Sequence, residues 1–166
     1  MKSNTKKLTT LALTISFALI LSYMESRIPP IVSVPGIKVG LANIAIIFTL
    51  YKFGAKEAVT VSIIRVLLIS MLFGSPVSMI YSLMGAIMSL GSMMLLKRFT
   101  PLREVSISVC GGVMHNIGQI AAASFLLSTN IFIYYLPFLL LSGTIAGIAV
   151  GAASAFLIKR VKIDLK

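Results

Sequence analysis

The chain has 166 residues, of which 58% are hydrophobic and only 11% are Asp, Glu, Lys or Arg. A water-soluble fold of this length has too small an interior for so many apolar side chains, so the composition predicts an integral membrane protein. The formal net charge of +11 does not indicate a nucleic-acid partner, because the basic residues do not gather on one face. The single cysteine, Cys110, excludes an internal disulfide.

Six membrane-spanning helices are predicted, because a span needs about 20 predominantly apolar residues and short polar segments separate the apolar runs. In chain order the predicted spans cover residues 8–24, 39–53, 55–73, 76–96, 105–127 and 131–158, within one transmembrane domain over residues 1–166. The outer segment 25–40 contains three prolines and two glycines, which exclude a regular helix. Pro137 lies within the last predicted span, so an alternative is that residues 131–136 form a separate turn before the helix. The fold class predicted is therefore an all-α bundle of six transmembrane helices.

The basic residues predict how this bundle is oriented. With the N-terminus inside, only Arg27 and Lys38 lie in outer segments, and Arg65 lies within a span. The remaining twelve of the fifteen fall in cytoplasmic segments: Lys2, Lys6, Lys7, Lys52, Lys56, Lys97, Arg98, Arg103, Lys159, Arg160, Lys162 and Lys166. This excess of positive charge inside favours a multi-pass protein of the bacterial cytoplasmic membrane, with both termini cytoplasmic.

Small residues recur every four positions along the first and last spans. In the first span Thr14, Ala18 and Ser22 mark a face that another helix can approach closely, and we predict docking to another membrane protein there. The last span carries the same pattern, which predicts close packing within the bundle: Gly143, Gly147, Gly151 and Ala155.

Arg65 stands alone in the apolar run VSIIRVLLIS, nine residues beyond Lys56 and therefore about 13 Å further along a helix. An arginine facing lipid at that depth costs on the order of 3 kcal/mol or more, so Arg65 is predicted to face the bundle interior. No carboxylate is predicted at its depth. An anionic small molecule carrying phosphate or carboxylate would supply the missing charge.

Further polar residues are predicted to line one outward-opening cavity with Arg65. His115 and Gln119 are four residues apart on one helix face, with Asn116 beside them. The alternative is that these side chains only hydrogen-bond neighbouring helices. The complete predicted ligand-binding set is Arg65, His115, Asn116, Gln119, Asn43, Glu25 and Lys38.

Catalysis by this chain alone is not expected. Its four acidic residues form no pair and no Asp-rich motif for Mg²⁺-diphosphate chemistry. There is no P-loop and no carboxylate near His115 for a catalytic triad. A lone histidine makes a poor metal site, so neither a metal nor a cofactor is predicted.

Several motifs, in order along the chain, resemble a known family. The segments YMESRIPP, VPGIKVGLANIAI, RVLLISMLFGSP, HNIGQ and YYLP resemble the Gx transporter family, often labelled heptaprenyl diphosphate synthase component I. That family is similar to the substrate-binding S components of energy-coupling factor (ECF) transporters. The resemblance implies six helices, a ligand entering from outside, and docking on a membrane coupling subunit driven by two ATPases. The Ala-x-x-x-Ala docking motif of S components is here Thr14, Ala18, Ser22.

Two functions remain open from the sequence. The first is an S-component-like subunit in the lipid bilayer that handles an amphipathic anion, such as a flavin or a quinone or prenyl-diphosphate precursor. The second is a non-catalytic accessory subunit of heptaprenyl diphosphate synthase. In the second case the basic turn KRFTPLRE (97–104) and the tail KRVKIDLK (159–166) would carry the function, and Arg65 would be structural.

Overall fold

The computed structural model describes residues 2–27, 40–129 and 134–161, with side chains from residue 5 onward. These stretches contain six α-helices and no β-strand. The helices are α1 (Lys2–Ser26), α2 (Asn43–Lys52), α3 (Ala55–Phe73), α4 (Pro76–Phe99), α5 (Glu104–Leu126) and α6 (Leu136–Arg160).

Four of the helices are long and apolar enough to cross a membrane: α1 over Thr5–Ser26, α4, α5 and α6. The all-helical class predicted from composition is therefore confirmed. Helix α3 has 19 residues, about 28 Å at 1.5 Å per residue, but it carries three charged residues. A count of six spans, and their orientation, remain predictions.

Helix α2 is shorter than predicted. A span over 39–53 was expected, whereas the helix runs only from Asn43 to Lys52, and residue 39 lies outside the described residues. Its ten residues rise about 15 Å, roughly half of the hydrocarbon core. Gly40 explains part of the late start. Its φ is +88°, which glycine adopts readily but which is incompatible with an α-helix.

The predicted turn before the last span is partly described. Residues 134–135 form a short 3₁₀ turn and α6 begins at Leu136, with Pro137 in its first turn, where a missing N–H costs nothing. Residues 131–133 lie outside the described residues. At the other helices the predicted and observed ends agree within a few residues, apart from α1, which begins six residues earlier than the span 8–24.

Five helices form a closed ring in the order α2, α3, α4, α5, α6, because each packs against the next and α6 packs against α2. Helix α1 packs outside this ring, against α3 and α2. The apolar core lies among α2, α3, α4, α5 and α6 and includes Ile46, Leu50, Val61, Met93 and Ile107, each at most 1% exposed. The bundle interior is therefore enclosed mainly by the last five helices.

Glycines allow the closest contact in the bundle, along α5 and α6. A Cβ on Gly147 would lie 2.6 Å from the Cα of Val109, and one on Gly112 would lie 2.5 Å from the carbonyl oxygen of Gly143. A Cβ on Gly151 would lie 2.7 Å from the Cα of Val105. Backbone occupies the space that side chains would need, so the prediction that the glycine stripe of the last span packs within the bundle is confirmed.

Two polar contacts fix one end of the bundle. Lys7 of α1 forms an ion pair of 2.5 Å with Glu57 of α3, so these helices begin at the same end and run in the same direction. Lys97 near the end of α4 donates a 2.6 Å hydrogen bond from Nζ to the carbonyl oxygen of Leu50, in the last turn of α2. Its Nζ also lies 4.5 Å from the centre of the Tyr51 ring.

Replacing Lys97 with methionine is expected to lower the free energy of unfolding by about 1.5–3 kcal/mol, the usual contribution of a hydrogen bond to a charged group. The Leu50 carbonyl at the end of α2 would lose its donor from α4. Exposed Lys159, at the end of α6, is the matched control, and its replacement by methionine should change stability by at most about 0.5 kcal/mol. Unfolding in detergent measures both. Equal losses in the two variants would contradict a specific role for Lys97.

Candidate functional site: a buried charge cluster

Arg65 is buried in the protein, with 6% of its surface exposed, as expected for a guanidinium that cannot face lipid. It projects from α3 toward α1, where its Nη1 donates a long hydrogen bond of 3.4 Å to the hydroxyl of Ser22. Its Nε has no hydrogen-bond partner within the described residues. The guanidinium therefore keeps unused donor capacity inside the bundle.

Glu25 corrects the expectation that Arg65 has no counter-charge at its depth. This carboxylate, near the end of α1, is 5% exposed and interacts electrostatically with Arg65. It also accepts a hydrogen bond from the backbone N–H of Gly40, just before α2. The sequence placed Glu25 at the outer boundary, but the packing of α1 against α3 brings it within electrostatic range of the guanidinium. A carboxylate of the chain therefore contributes part of the negative charge near Arg65.

The start of α2 takes part in this arrangement. The Glu25 carboxylate accepts the hydrogen bond of Gly40, three residues before the first residue of α2. Asn43, the first residue of α2, is 7% exposed, and its side chain lies close to Gly40. We define the charge cluster as Ser22, Glu25, Gly40 and Arg65. Lys38, predicted at the mouth of the same site, lies outside the described residues.

The polar residues of α5 face different neighbours. Asn116 donates a 2.7 Å hydrogen bond from Nδ2 to the carbonyl oxygen of Leu139 in α6. His115 and Gln119 lie against α4, where a Cβ on Gly85 would come within 2.8 Å of His115 and 3.0 Å of Gln119. All three are at most 5% exposed. Asn116 therefore serves as an interhelical contact, which was the alternative expected for this set.

The structure brings some predicted site residues together and leaves others apart. Glu25 and Arg65 belong to one cluster, whereas the α5 residues contact α4 and α6, and α3 does not pack extensively against α5 in the described part of the chain. One cavity shared by Arg65, His115, Asn116, Gln119 and Asn43 therefore remains a prediction. The described pocket contains Asn43 but none of the other four.

The predicted docking stripe on α1 is used inside the chain. Thr14, Ala18 and Ser22 are 6%, 0% and 2% exposed, in a helix that packs against α3 and α2. Packing within the bundle accounts for their small size, and a partner could reach them only if α1 moved. The opposite face of α1 is the exposed one, with Leu13 at 66% and Ile20 at 57%. Docking of a partner through the stripe remains untested.

An exposed basic turn lies between α4 and α5. Arg98 and Arg103 are exposed, and between them Phe99 and Leu102 are 72% and 45% exposed. The Arg98 guanidinium lies 5.5 Å from the centre of the Phe99 ring. The sequence pointed to this turn through its charge but missed the apolar pair, although two large apolar residues within a short polar turn were a usable signal.

No group of three or more His, Cys, Asp or Glu side chains that could hold a metal ion occurs among residues 2–27, 40–129 and 134–161.

Together, the fold and the site define an all-helical membrane protein with a buried charge pair and a basic turn. A comparison with family models matches residues 14–157 to heptaprenyl diphosphate synthase component I. The chain belongs to this family, as its motifs indicated. No curated protein and no solved structure matches the chain significantly.

Family membership also bears on catalysis. The component I family is a non-catalytic accessory subunit, so the expectation that this chain is not itself an enzyme is confirmed. The ECF transporter resemblance receives no comparable support.

Proposed function

We propose that this chain is the membrane-embedded accessory subunit of a heptaprenyl diphosphate synthase. The observation that carries the proposal is the family match over residues 14–157, which includes most of the bundle. The residues agree with it, because the chain has the apolar helices of a membrane subunit and lacks the acidic motifs that diphosphate chemistry requires. Catalysis would then belong to a second component.

The proposed topology has six spans in the bacterial cytoplasmic membrane, with both termini cytoplasmic. Support comes from the uneven distribution of Lys and Arg. The Lys7–Glu57 and Lys97–Leu50 contacts place the beginnings of α1 and α3 and the ends of α2 and α4 at one end of the molecule, as this topology requires. Arg27, at the end of α1, would then lie on the outer side.

The partner that this role requires is the catalytic component of the synthase, and we propose that it binds the basic turn between α4 and α5. Arg98 and Arg103 supply positive charge, and Phe99 and Leu102 supply exposed apolar surface between them. Lys159 and Arg160, in the last turn of α6, extend the positive surface at the proposed cytoplasmic end. An acidic surface on the partner would complement it.

Co-purification from native membranes tests this partnership. The unaltered chain is expected to retain a soluble prenyl synthase, and the double variant Arg98→Glu/Arg103→Glu is expected to lose it, because the charges would then repel. Arg27→Glu, an equally exposed reversal at the opposite end of the molecule, is the matched control and should retain the synthase. Retention by the double variant would remove the basic turn from the proposal, and absence of any synthase would remove the proposal itself.

A second candidate function is favoured by the buried Arg65. An S-component-like subunit would bind an amphipathic anion, such as a flavin or a quinone or prenyl-diphosphate precursor, and would dock on a membrane coupling subunit with ATPases. Its proposed site combines Arg65, through its unpartnered Nε, with Asn43 and the polar residues of α5. Because Glu25 already interacts electrostatically with Arg65, an anionic ligand would have to displace that carboxylate or share the guanidinium with it. The further residues proposed for this site are Glu25, Lys38, His115, Asn116 and Gln119.

Mass spectrometry of small molecules retained by the purified protein tests the second candidate. A bound anion is expected, and Arg65→Lys should reduce its amount while preserving the fold, because lysine keeps the charge but not the planar fork of donors. Co-purified proteins separate the two functions, since ATPases with a membrane subunit support transport and a soluble synthase supports the accessory role. A protein without a retained anion, in both forms, would exclude the second candidate.

A further inference from the structure

A cavity lies inside the ring of helices, between α2, α4, α5 and α6. It is small, with a volume of about 10 Å³, which leaves room for about one water-sized molecule. The residues that matter for its chemistry are Gly40, Asn43, Met93, Ser108, Gly112 and Gly147. Among the described residues, no charged side chain lines it. The cavity is therefore distinct from the charge cluster, with which it shares only Gly40.

The Ser108 hydroxyl has no hydrogen-bond partner within the described residues, although the side chain is 2% exposed and lines the cavity. Some buried hydroxyls of this bundle bond to the carbonyl oxygen four residues earlier, as Thr49 does to Ala45 and Ser154 does to Val150, whereas those of Ser70, Ser82 and Ser89, like that of Ser108, have no partner within the described residues. Among these four serines, Ser108 is the one that lines the cavity. Ser108 does not use this local acceptor. A buried hydroxyl without a partner costs about 1–3 kcal/mol, so its orientation toward a cavity points to a molecule within it.

The start of α2 brings a second polar side chain to the cavity, that of Asn43. The carbonyl oxygens of residues 40–42 accept hydrogen bonds from the N–H groups of residues 43–45. The backbone at the start of α2 is therefore hydrogen-bonded within the chain, and the Asn43 side chain is the polar side chain of α2 that lines the cavity.

We propose that the cavity is a binding site for a neutral hydrogen-bonding molecule, occupied by ordered water that bridges the Asn43 amide of α2 and the Ser108 hydroxyl of α5. Two polar side chains from different helices are sufficient to hold one water. The described lining is neutral, which suits water better than an ion. The bridge would connect the short helix α2 to α5 and give the Ser108 hydroxyl a partner.

Cysteine labelling with methyl methanethiosulfonate, a small uncharged reagent that attacks thiolates, tests whether water reaches the cavity. The background is Cys110→Ala, which removes the native thiol. S108C is expected to react. S154C is the matched control, because Ser154 is 0% exposed and bonds to the Val150 carbonyl instead of lining the cavity, and it is expected not to react.

A filled cavity provides a second measurement. Adding Ala146→Leu to S108C should abolish labelling, because Ala146 lines the same space. If S108C does not fold, as judged by size-exclusion chromatography, A146C replaces it as the reporter and is expected to react. An unreactive reporter in a folded protein would overturn the proposal. Equal labelling of S108C and S154C would overturn it as well, because the reagent would then enter the bundle without a hydrated cavity.

Discussion

Replacing Arg65 with alanine is expected to lower the free energy of unfolding by about 3–5 kcal/mol, the largest effect of any single substitution considered for this protein. The variant leaves Glu25 buried, with 5% exposure, and without the positive charge that now interacts with it. A buried charge that has lost its partner costs far more than the intact pair contributes. Unfolding of the purified protein in detergent, followed by helical circular dichroism, measures the loss.

A double-mutant cycle separates this pairing from lost packing. Glu25→Ala is expected to destabilise the protein too, and the variant lacking both charges should lose at least about 1 kcal/mol less than the two single losses together. Arg27→Ala is the control, because this exposed arginine near Glu25 in sequence should change stability by no more than about 0.5 kcal/mol. Strictly additive losses would show that Glu25 and Arg65 are not coupled in the folded protein.

The second large effect is expected at Gly147. Its replacement by alanine should destabilise the bundle by about 1–3 kcal/mol, because the new methyl group would lie 2.6 Å from the Cα of Val109 and would push α6 away from α5. Backbone atoms cannot move aside as a flexible side-chain end can. The midpoint of thermal unfolding in detergent, compared with that of the unaltered chain, measures the effect.

Gly91 provides a close control for that substitution. It lies within helix α4, yet a Cβ there would meet no atom within 4 Å. Gly91→Ala should therefore leave stability unchanged or raise it by up to about 1 kcal/mol, because alanine favours the helix more than glycine does. Equal destabilisation by both alanines would mean that α5 and α6 do not pack as closely as their glycines indicate.

Much of the helical content could be predicted from the sequence because it depends on local chemistry. Long apolar runs, Pro76 and Gly74 gave both ends of α3 and the start of α4, and the glycine stripe gave the packing face of α6. Helix α2 could not be bounded in this way, because the apolar residues continue across Gly40 while the backbone there adopts a positive φ. Amino-acid composition alone does not indicate where the backbone adopts a positive φ.

The charge cluster could not be predicted by estimating how deep each polar residue lies along its own helix, because its contacts join different helices. Arg65 was correctly expected to be buried, because the cost of exposing it to lipid depends only on its apolar surroundings. Its relation to Glu25 depends on how α1 packs against α3 and on the long reach of the guanidinium, and neither follows from residue spacing. For the same reason the sequence did not indicate that Ser22 accepts a hydrogen bond from Arg65.

These results assign different roles to the two ends of the bundle. At one end, Glu25 accepts a hydrogen bond from the Gly40 N–H before α2, and Arg65 of α3 interacts with Glu25 and Ser22 of α1. At the opposite end, the turn containing Arg98, Phe99 and Arg103 presents charge and apolar surface that the fold itself does not use. The proposed accessory function requires such a division, with a stable membrane anchor and an exposed surface for a catalytic partner.

Reconstituted prenyl-chain elongation tests the accessory function most directly. The catalytic component that co-purifies with this chain is assayed for heptaprenyl diphosphate formation with empty liposomes and with liposomes containing the chain. We expect product formation only when the chain is present, and its loss with the Arg98→Glu/Arg103→Glu variant. Equal product formation in empty liposomes would contradict a role for this chain as a subunit of the synthase.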